Sequence, residues 1–281
     1  MSNYTKENLI AIPPTAVPAG TLAIKVGDEI FTPGNIKIGS GGGDNGTDSG
    51  ATILLAHFDS SLSFIGAAAS CGVAAEQINA MDASMGGTPD KWSPAFDSAK
   101  FGQGLLFPQP EGSEEEWELN RNNHRLILPV SNTLLNGDFT IEFFYKTIAG
   151  YDNAGTILSA TTDHLIHFGA RGPSNSQVLD IGIGNGSAWI MYTGGSSSIK
   201  PETGVFHHVA LVRNGDYFTA YVDGSQAAQT SVSGTSPVGA GLLTLGSLTS
   251  IFEGIVDELR ISNTARYTAD FTPPASAFVV D

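Results

Sequence analysis

The sequence predicts an all-β sandwich, and three observations support that fold class. The chain of 281 residues contains 34 Gly and 14 Pro, its apolar runs are short, and dipeptides that favour hairpin turns separate several of them. Turn-rich composition with short runs is typical of β-sandwiches rather than of helical folds. Hydrophobic residues make up 41 % of the chain, which is enough for a sizeable core. The length suits one large β domain with an appendage, or two modest domains.

The charge balance excludes several classes of partner. Acidic residues outnumber basic residues by 28 to 13, which gives a formal net charge of −15. Such a chain is repelled by nucleic acid and by anionic membrane surfaces, whereas it is compatible with solubility and with binding divalent cations. No apolar stretch reaches the roughly 18 residues of a membrane span. The single cysteine, Cys71, excludes an intrachain disulfide and is interpreted as a small apolar residue.

The composition divides the chain into three segments. Residues 1–38 form a predicted N-terminal arm, in which Gly27-Asp28 fits a two-residue hairpin turn. A lone hairpin is marginal in water, so we expect the main domain, a sister chain or an assembly to hold this arm. Residues 39–50, "GSGGGDNGTDSG", are a Gly-rich linker by composition. Residues 51–281 form the predicted β domain.

Within that domain the strands follow one another in order. The run "FTIEFFYKT" shows the clearest alternation: Phe139, Ile141, Phe143 and Tyr145 fall on one face and polar residues on the other, except that Phe144 interrupts the polar face. A short helix is compatible with "CGVAAEQINAMDASM". The other predicted strands are ATILLAHFD, FGQGLLF, GTILSA, HLIHFGA, VLDIGIG, AWIMYT, LLTLGS and GIVDELRIS.

The stretch "HHVALVRNGDYFTAYVDG" predicts a three-stranded meander. Asn214-Gly215 is the strongest short hairpin signal, because both turn positions need a positive φ, and Asp223-Gly224 repeats that signal. The predicted strands are 207–213, 216–222 and a third that starts near Ser225. The first strand is apolar on both faces, which is typical of a strand inside a sheet.

These residues carry a resemblance to a known family. "GVFHHVALVRNGDYFTAYVDGSQAA", "LILPVSNTLLNGDFTIEFFYKT" and "FEGIVDELRISNTARYTADFTPPASAF" resemble, in the right order, strands of laminin-G-like domains of the concanavalin A-like lectin/glucanase superfamily. The resemblance covers roughly residues 51–281 and implies a jelly-roll sandwich of two antiparallel sheets. One sandwich hosts many activities, so the resemblance implies little about function.

Two segments also resemble parts of bacteriophage structural proteins. "ARYTADFTPP" is similar to the tail of such domains in phage proteins, and "VPAGTLAIKVGDEIFTPGNIKIG" is similar to short segments of phage tail and fibre proteins. The N-terminus has no basic region followed by an apolar run, so we expect no secretory signal. That expectation agrees with a phage protein, because virions assemble in the cytoplasm. The resemblance therefore implies a virion protein that is made in the host cytoplasm and displayed on the particle surface.

The closing strand "GIVDELRIS" suggests a metal site. Alternation places Asp257 on one face with Ile255, Leu259 and Ile261, where an unpaired carboxylate would be costly. Similar domains often carry a calcium ion at this strand, and the resemblance implies a structural calcium held by Asp257 and by Asp59 of the opening strand, with backbone carbonyls completing the shell. The alternative is an Asp257 that accepts backbone N–H groups or pairs with an arginine such as Arg213.

The sequence motifs give only weak support for a catalytic site. Glycosidases of this fold use carboxylates that alternate along one strand, and the match to that spacing is Glu114, Glu116 and Glu118, inside an acidic run that reads as a solvated face. The sequence has neither a Gly-x-Ser-x-Gly elbow nor a phosphate-binding Gly-Lys-Ser/Thr loop. We therefore expect no enzymatic activity and no catalytic residue.

The histidines are interpreted as half-buried sheet residues rather than zinc ligands. His164 and His167 are three apart, and on a strand that spacing puts them on opposite faces; His207 and His208 also point in opposite directions.

The aromatic residues offer candidates for sugar binding, because sugar sites on such sandwiches use exposed rings that stack on pyranoses. The candidates are Trp92, Trp117, Tyr151 and Tyr192, with ordinary packing or an oligomer contact as the alternative for Trp92 and Trp117. Trp189 lies in a strand-like run and is predicted to belong to the core.

Together these observations predict a non-enzymatic bacteriophage virion protein. The arm would anchor it to other virion proteins, in an assembly compatible with a homotrimer, and the jelly roll would either bind host-surface glycans as an adhesin or decorate the shell. The alternatives are a cellular carbohydrate-binding module and a polysaccharide-degrading enzyme on the same fold.

Overall fold

The protein is described by a computed structural model, and each regular element that it describes is a β-strand. The structure describes residues 24–26, 29–32, 36–40, 52–58, 64–65, 95–107, 125–131, 137–148, 155–160, 164–171, 178–194, 199–231, 242–246 and 252–279. These residues contain no helix, and so none that could cross a membrane. The all-β prediction is confirmed.

Within the described ranges, eighteen strands form three antiparallel sheets. The small sheet contains β1 (Ile24–Val26), β2 (Glu29–Thr32) and β3 (Ile36–Ser40). The six-stranded sheet contains β8 (Arg125–Ser131), β10 (Thr156–Ala160), β11 (Ile166–Arg171), β12 (Val178–Gly184), β13 (Trp189–Tyr192) and β17 (Leu242–Gly246). The nine-stranded sheet contains β4 (Thr52–Ala56), β5 (Phe64–Ile65), β6 (Ala95–Ser98), β7 (Gln103–Phe107), β9 (Phe139–Thr147), β14 (His207–Asn214), β15 (Tyr217–Val222), β16 (Ser225–Ser231) and β18 (Gly254–Ser262).

The two larger sheets enclose one apolar core, as expected for a jelly-roll sandwich. The strand orders are β13-β12-β11-β10-β17-β8 in the smaller and β16-β15-β14-β9-β18-β4-β5 in the larger, where β7 joins β18 and β6 joins β7. In the small sheet Val26 of β1 lies opposite Glu29 of β2. The division into arm, linker and domain stays a prediction; β3 extends to Ser40, and the region predicted as a short helix lies outside the described residues.

The pattern of β9 shows how alternation builds the core. Phe139, Ile141, Phe143 and Tyr145 all face the core, as predicted. Phe144, which interrupted the polar face in the sequence, packs on the other side of the sheet with Leu55 and Phe278. The larger sheet is therefore covered on both faces. Its central strand needs apolar side chains on both sides, which a strictly alternating sequence would not provide.

The meander is confirmed, with one correction to its first turn. Asn214 pairs with Tyr217, so the turn residues are Gly215 and Asp216 rather than Asn214 and Gly215. Only Gly215 has a positive φ there (57°). The second turn is as predicted, because Asp223 and Gly224 have φ values of 50° and 80°. Glycine at the first position of a two-residue loop satisfies the first turn without a left-handed asparagine.

A bulge in β18 corrects the predicted face of Asp257. Asp257 pairs with Phe144 and Arg260 pairs with Glu142, so β18 has one residue more than β9 between these pairs, and Glu258 has a φ of 54°. Leu259 and Ile261 face the core, whereas Asp257 lies on the opposite face. The prediction that Asp257 shares the face of Leu259 and Ile261 was wrong, because the extra residue reverses the alternation.

The face of the nine-stranded sheet turned away from the core is here called the back face, and residues 263–279 are called the C-terminal segment. Tyr267 and Phe271 of this segment stack on each other, with ring centroids 3.5 Å apart, and pack against Tyr221. Phe278 packs against Phe144. The segment thus covers apolar side chains that the sheet would otherwise expose to water.

A buried ionic network ties the C-terminal segment to the back face. The Glu142 carboxylate accepts hydrogen bonds from Arg260 at 2.8 Å, His208 at 3.1 Å and the Tyr267 hydroxyl at 2.7 Å. Burial opposes its ionisation, but the bond from His208 and the charge of Arg260 outweigh burial and hold the pKa of Glu142 below its ordinary value. Glu258, also buried, accepts the backbone N–H of Phe278 at 2.6 Å.

The second hairpin turn forms a further attachment point. The backbone N–H of Phe271 donates to the Gly224 carbonyl at 2.9 Å, and Asp270 accepts the N–H of Gln226 at 2.8 Å. A Cβ on Gly224 would overlap the carbonyl oxygen of Phe271. Glycine is therefore required here for its left-handed φ and for the close approach of the C-terminal segment.

Gly224→Ala should lower the free energy of unfolding by about 2 kcal/mol or more, because a Cβ is strained at this φ and would displace Phe271. Urea unfolding measures the loss. Gly215→Ala is a matched control: its φ is also positive, but nothing lies within 4 Å of the added Cβ. We expect a loss of about 1 kcal/mol for the control. Equal losses in the two variants would contradict the proposed attachment.

Candidate functional site

The face of the six-stranded sheet turned away from the core is here called the front face. His167, Gly169, Asp180 and Gly182 lie on it, because they alternate with Phe168, Ile181 and other residues of the core. Gly182 lies opposite His167, and Gly169 opposite Asp180. Two glycines, an imidazole and a carboxylate thus occupy adjacent positions on two central strands.

An irregularity in β13 places two aromatic side chains on this face. Tyr192 pairs with Gly182 and Trp189 with Gly184, while Met191 pairs with Ile183, so Ile190 is an extra residue. Ile190 and Met191 both contact the core, and Trp189 and Tyr192 both lie on the front face. Regular alternation would have put these two rings on opposite faces, because they are three residues apart.

Trp189 and Tyr192, here called the ring pair, stack on each other. Their ring centroids are 5.0 Å apart and their planes differ by 12°. The His164 ring approaches Trp189 at 5.0 Å, and the His167 ring lies 6.1 Å from Trp189 and 6.2 Å from Tyr192. Tyr192 is 37 % exposed and Trp189 is half-buried, so the ring pair is accessible from solvent.

Polar contacts fix the Tyr192 side of the ring pair. The Tyr192 hydroxyl donates to Asp180 Oδ2 at 3.2 Å, and Asp180 is fully buried. The next residue, Thr193, accepts the backbone N–H of Ile181 with its hydroxyl oxygen at 2.8 Å, and its own N–H donates to the Ile181 carbonyl at 2.9 Å. These bonds hold the end of β13 against β12.

A tight turn fixes the Trp189 side. The side-chain oxygen of Asn185 accepts the N–H groups of Ser187 and Ala188, each at 3.0 Å, which is an Asx-type turn. The N–H of Gly186 donates to the carbonyl of His164 at 3.1 Å. The turn that delivers Trp189 is thereby linked to the turn that carries His164.

The ring pair and its polar neighbours are groups of the kind that bind sugars. Stacked aromatic rings offer an apolar surface to the C–H groups of a sugar ring, and neighbouring hydroxyl and imidazole groups can bond to its hydroxyls. The described residues contain no group of three or more His, Cys, Asp or Glu side chains that could hold a metal ion.

The structure tests some of the predicted binding residues. Tyr192 lies on the front face with its ring partly exposed. Trp92, Trp117 and Tyr151 lie outside the described residues. The prediction that Trp189 belongs to the core was wrong, because the extra residue Ile190 turns its ring to the front face.

The prediction that His164 and His167 point to opposite faces was also wrong. His164 precedes β11 with a φ of 55°, and both rings contact Trp189. The left-handed backbone at His164 breaks the alternation on which the prediction rested. No signal in the sequence marks this turn, apart from the neighbouring Asn185-Gly186 dipeptide that it bonds to.

Asp257 is fully buried, and its Oδ2 accepts the backbone N–H of Phe101 at 2.9 Å. That contact matches the predicted alternative of a backbone donor. Asp59 lies outside the described residues, so the structure does not place the predicted pair of Asp59 and Asp257. Near the end of β4, His57 forms a hydrogen bond of 2.7 Å with Glu258. A calcium shell takes six to eight oxygens, of which the Asp257 carboxylate would supply at most two. The calcium site stays a prediction, and so does the interpretation of Glu114, Glu116 and Glu118, which also lie outside the described residues.

Comparisons with known proteins agree with this fold. The family model described as "Concanavalin A-like lectin/glucanases superfamily" matches residues 120–270, more than half of the chain. A search of curated proteins by sequence finds no match.

Several solved structures are similar to the chain at low identity. A heptameric SAP-like pentraxin from Limulus polyphemus is 21 % identical with a TM-score of 0.36, over 47 % of this chain and 66 % of the pentraxin. Domain 4 of the arabinanase AbnA from Geobacillus stearothermophilus, solved with arabinotriose, is 18 % identical with a TM-score of 0.43, over 62 % and 76 %. The CBM40 domain of the Ruminococcus gnavus IT-sialidase, bound to α2,3-sialyllactose, is 14 % identical with a TM-score of 0.39, over 49 % and 81 %.

If calcium binds at Asp257, 1 mM calcium should raise the melting temperature by several degrees relative to chelator, because a ligand that binds only the folded state stabilises it. Differential scanning calorimetry measures the shift. Asp257→Asn should abolish the shift, whereas Asp216→Asn, at an exposed turn, should keep it. An identical melting temperature with calcium and with chelator would rule out the predicted ion.

Proposed function

Because the chain belongs to the concanavalin A-like lectin/glucanase superfamily, we propose that it is a non-enzymatic glycan-binding protein whose binding site is the front face around the ring pair. The observation that carries the proposal is the stacking of Trp189 and Tyr192 on that face, with Tyr192 37 % exposed. Superfamily membership alone does not distinguish a binding role from a catalytic role or a structural role.

Aromatic rings that stay exposed to water forgo the free energy of burial. Large aromatic side chains are most often buried or employed at binding surfaces, because their apolar area gains free energy when water leaves it. Trp189 and Tyr192 face away from the core, and hydrogen bonds at both ends of β13 fix the backbone that carries them. A ring that is carried on a fixed backbone and already stacked on a neighbour loses less conformational entropy when a ligand binds, so the arrangement favours binding.

The two broad faces of the sandwich differ in a way that favours the front face. The back face is covered by the C-terminal segment, through Tyr267, Phe271 and Phe278. On the front face, by contrast, the rings of Trp189 and Tyr192 lie directly above Gly182, and Tyr192 stays 37 % exposed. A sugar ring needs such an accessible, flat apolar surface.

Trp189→Ala and Tyr192→Ala should each weaken glycan binding by about tenfold or more, since loss of a stacking contact removes on the order of 1–2 kcal/mol. Titration calorimetry after a screen of neutral and acidic oligosaccharides measures the affinity, and the melting temperature checks the fold. Tyr217→Ala is the matched control, because Tyr217 is 50 % exposed at the first hairpin of the meander and should leave binding unchanged.

Two results would contradict this proposal. Full affinity in the Trp189→Ala, Tyr192→Ala double variant would place the glycan elsewhere on the molecule. Shortened products from any polysaccharide in the screen would overturn the prediction that the chain is not an enzyme, and would favour the glucanase alternative.

We further propose that the glycan-binding domain is displayed on a bacteriophage particle, as an adhesin or as a decoration protein. The support is the resemblance of "ARYTADFTPP" and of the N-terminal arm to segments of phage structural proteins. Antibody raised against residues 51–281 should label purified particles in electron micrographs and, for an adhesin, block attachment to host cells. Absence of label on every particle preparation would favour the alternative of a cellular carbohydrate-binding module.

A further inference from the structure

We infer that Gly182 is the positioning residue of the ring pair: it lacks a side chain so that Trp189 and Tyr192 can lie against β12. The inference rests on the proposed function, because it assigns Gly182 to glycan binding rather than to folding. The contact between position 182 and the two rings can be tested without any ligand.

The backbone at Gly182 does not itself require glycine. Gly182 lies inside β12 and is paired on both sides, with His167 of β11 and Tyr192 of β13. Its φ is not among the positive values of the described glycines, which occur at Gly186, Gly215, Gly224 and elsewhere. A glycine inside a strand weakens that strand, because it adds flexibility to the unfolded chain and contributes no side chain to packing. Another constraint must favour it here.

That constraint is the space taken by the rings. A Cβ added to Gly182 would lie 2.8 Å from Cζ3 of Trp189, 2.9 Å from Cδ2 of Tyr192 and 3.0 Å from Cε3 of Trp189. All three of the nearest atoms belong to the ring pair. Carbon atoms that are not bonded prefer separations of about 3.5–4.0 Å, so both rings would have to move.

The neighbouring Gly184 provides a contrast two residues along the same strand. A Cβ there would overlap backbone atoms, the carbonyl oxygens of His164 and Ala188. Those carbonyls accept the hydrogen bonds that fix the turn between β12 and β13. Gly184 therefore serves the fold, whereas Gly182 faces only side chains that can swing away.

This difference predicts separate effects. Gly182→Ala should leave the domain folded, because the rings can rotate towards solvent, but should separate the stacked pair and weaken binding by about tenfold or more. Gly184→Ala should lower the melting temperature, because backbone atoms must shift. Gly137→Ala, at an exposed position with nothing within 4 Å of the added Cβ, controls for the substitution itself.

The probes are arabinotriose, which is neutral, and α2,3-sialyllactose, which is acidic, titrated into wild-type protein and each variant. Near-UV circular dichroism reports the stacking of Trp189 and Tyr192 independently of any ligand. We expect Gly182→Ala to lose both binding and the Trp189–Tyr192 contribution to the spectrum, while the Gly137→Ala variant keeps both.

A mutant cycle tests the contact even if neither probe binds. In a Trp189→Ala, Tyr192→Ala background the space above Gly182 is empty, and Gly182→Ala should then raise the melting temperature, because alanine reduces the entropy of the unfolded chain. With the rings present, the same substitution should give no increase. Opposite responses in the two backgrounds would establish the coupling between position 182 and the rings.

The outcomes separate this inference from the proposed function. An equal increase in melting temperature in both backgrounds, or an unchanged near-UV spectrum, would overturn the role of Gly182 whatever the binding result. Normal affinity in Gly182→Ala, with the spectrum altered, would also overturn it, because the rings would then not need this position to bind. Coupling without binding of either probe in wild-type protein would count against the proposed function and against the assignment of Gly182 to glycan binding, but not against the contact.

Discussion

The Glu142 carboxylate, buried at the centre of the larger sheet, is the interaction on which the rest of the structure depends. It joins β9, β14, β18 and the C-terminal segment, through Arg260, His208 and Tyr267. An ionised group in such a place is costly unless every lone pair finds a donor, and removal of one partner leaves an uncompensated charge. The network therefore specifies one position for the C-terminal segment, and that position closes the back face over its apolar side chains.

Alternation along the strands predicts much of this fold and none of its irregularities. The faces of β9, β14 and β15 follow from residue type and from the Asp-Gly turn, because β14 pairs with both of its neighbours without a register shift. Asp257, Trp189 and His164 were each assigned to the wrong face for one physical reason. An extra residue, or a left-handed φ, moves the side chains that follow it to the opposite face of the sheet. A prediction from alternation assumes that no such residue is present.

The same irregularities build the buried ionic network and the proposed binding site. The extra residue in β18 brings Asp257 and Arg260 to the back face together, and the extra residue in β13 brings Trp189 and Tyr192 to the front face together. Strands are bent or bulged most often where a side chain has to be aimed. The glycines beside the rings were visible in the sequence, in "IGIGNGSAWIMY", but their meaning depends on a pairing register that the sequence does not display.

The chain's own C-terminal segment covers the back face, so the front face is the broad face of the domain that is left for contacts with a partner. Copies arranged side by side could offer a partner only one of their two broad layers, so an array would have to orient every copy alike. Each copy would then contribute a single small contact area around Trp189 and Tyr192. Attachment to a repetitive surface would gain its strength from the number of copies engaged at once, through effective concentration, rather than from the affinity of any one site.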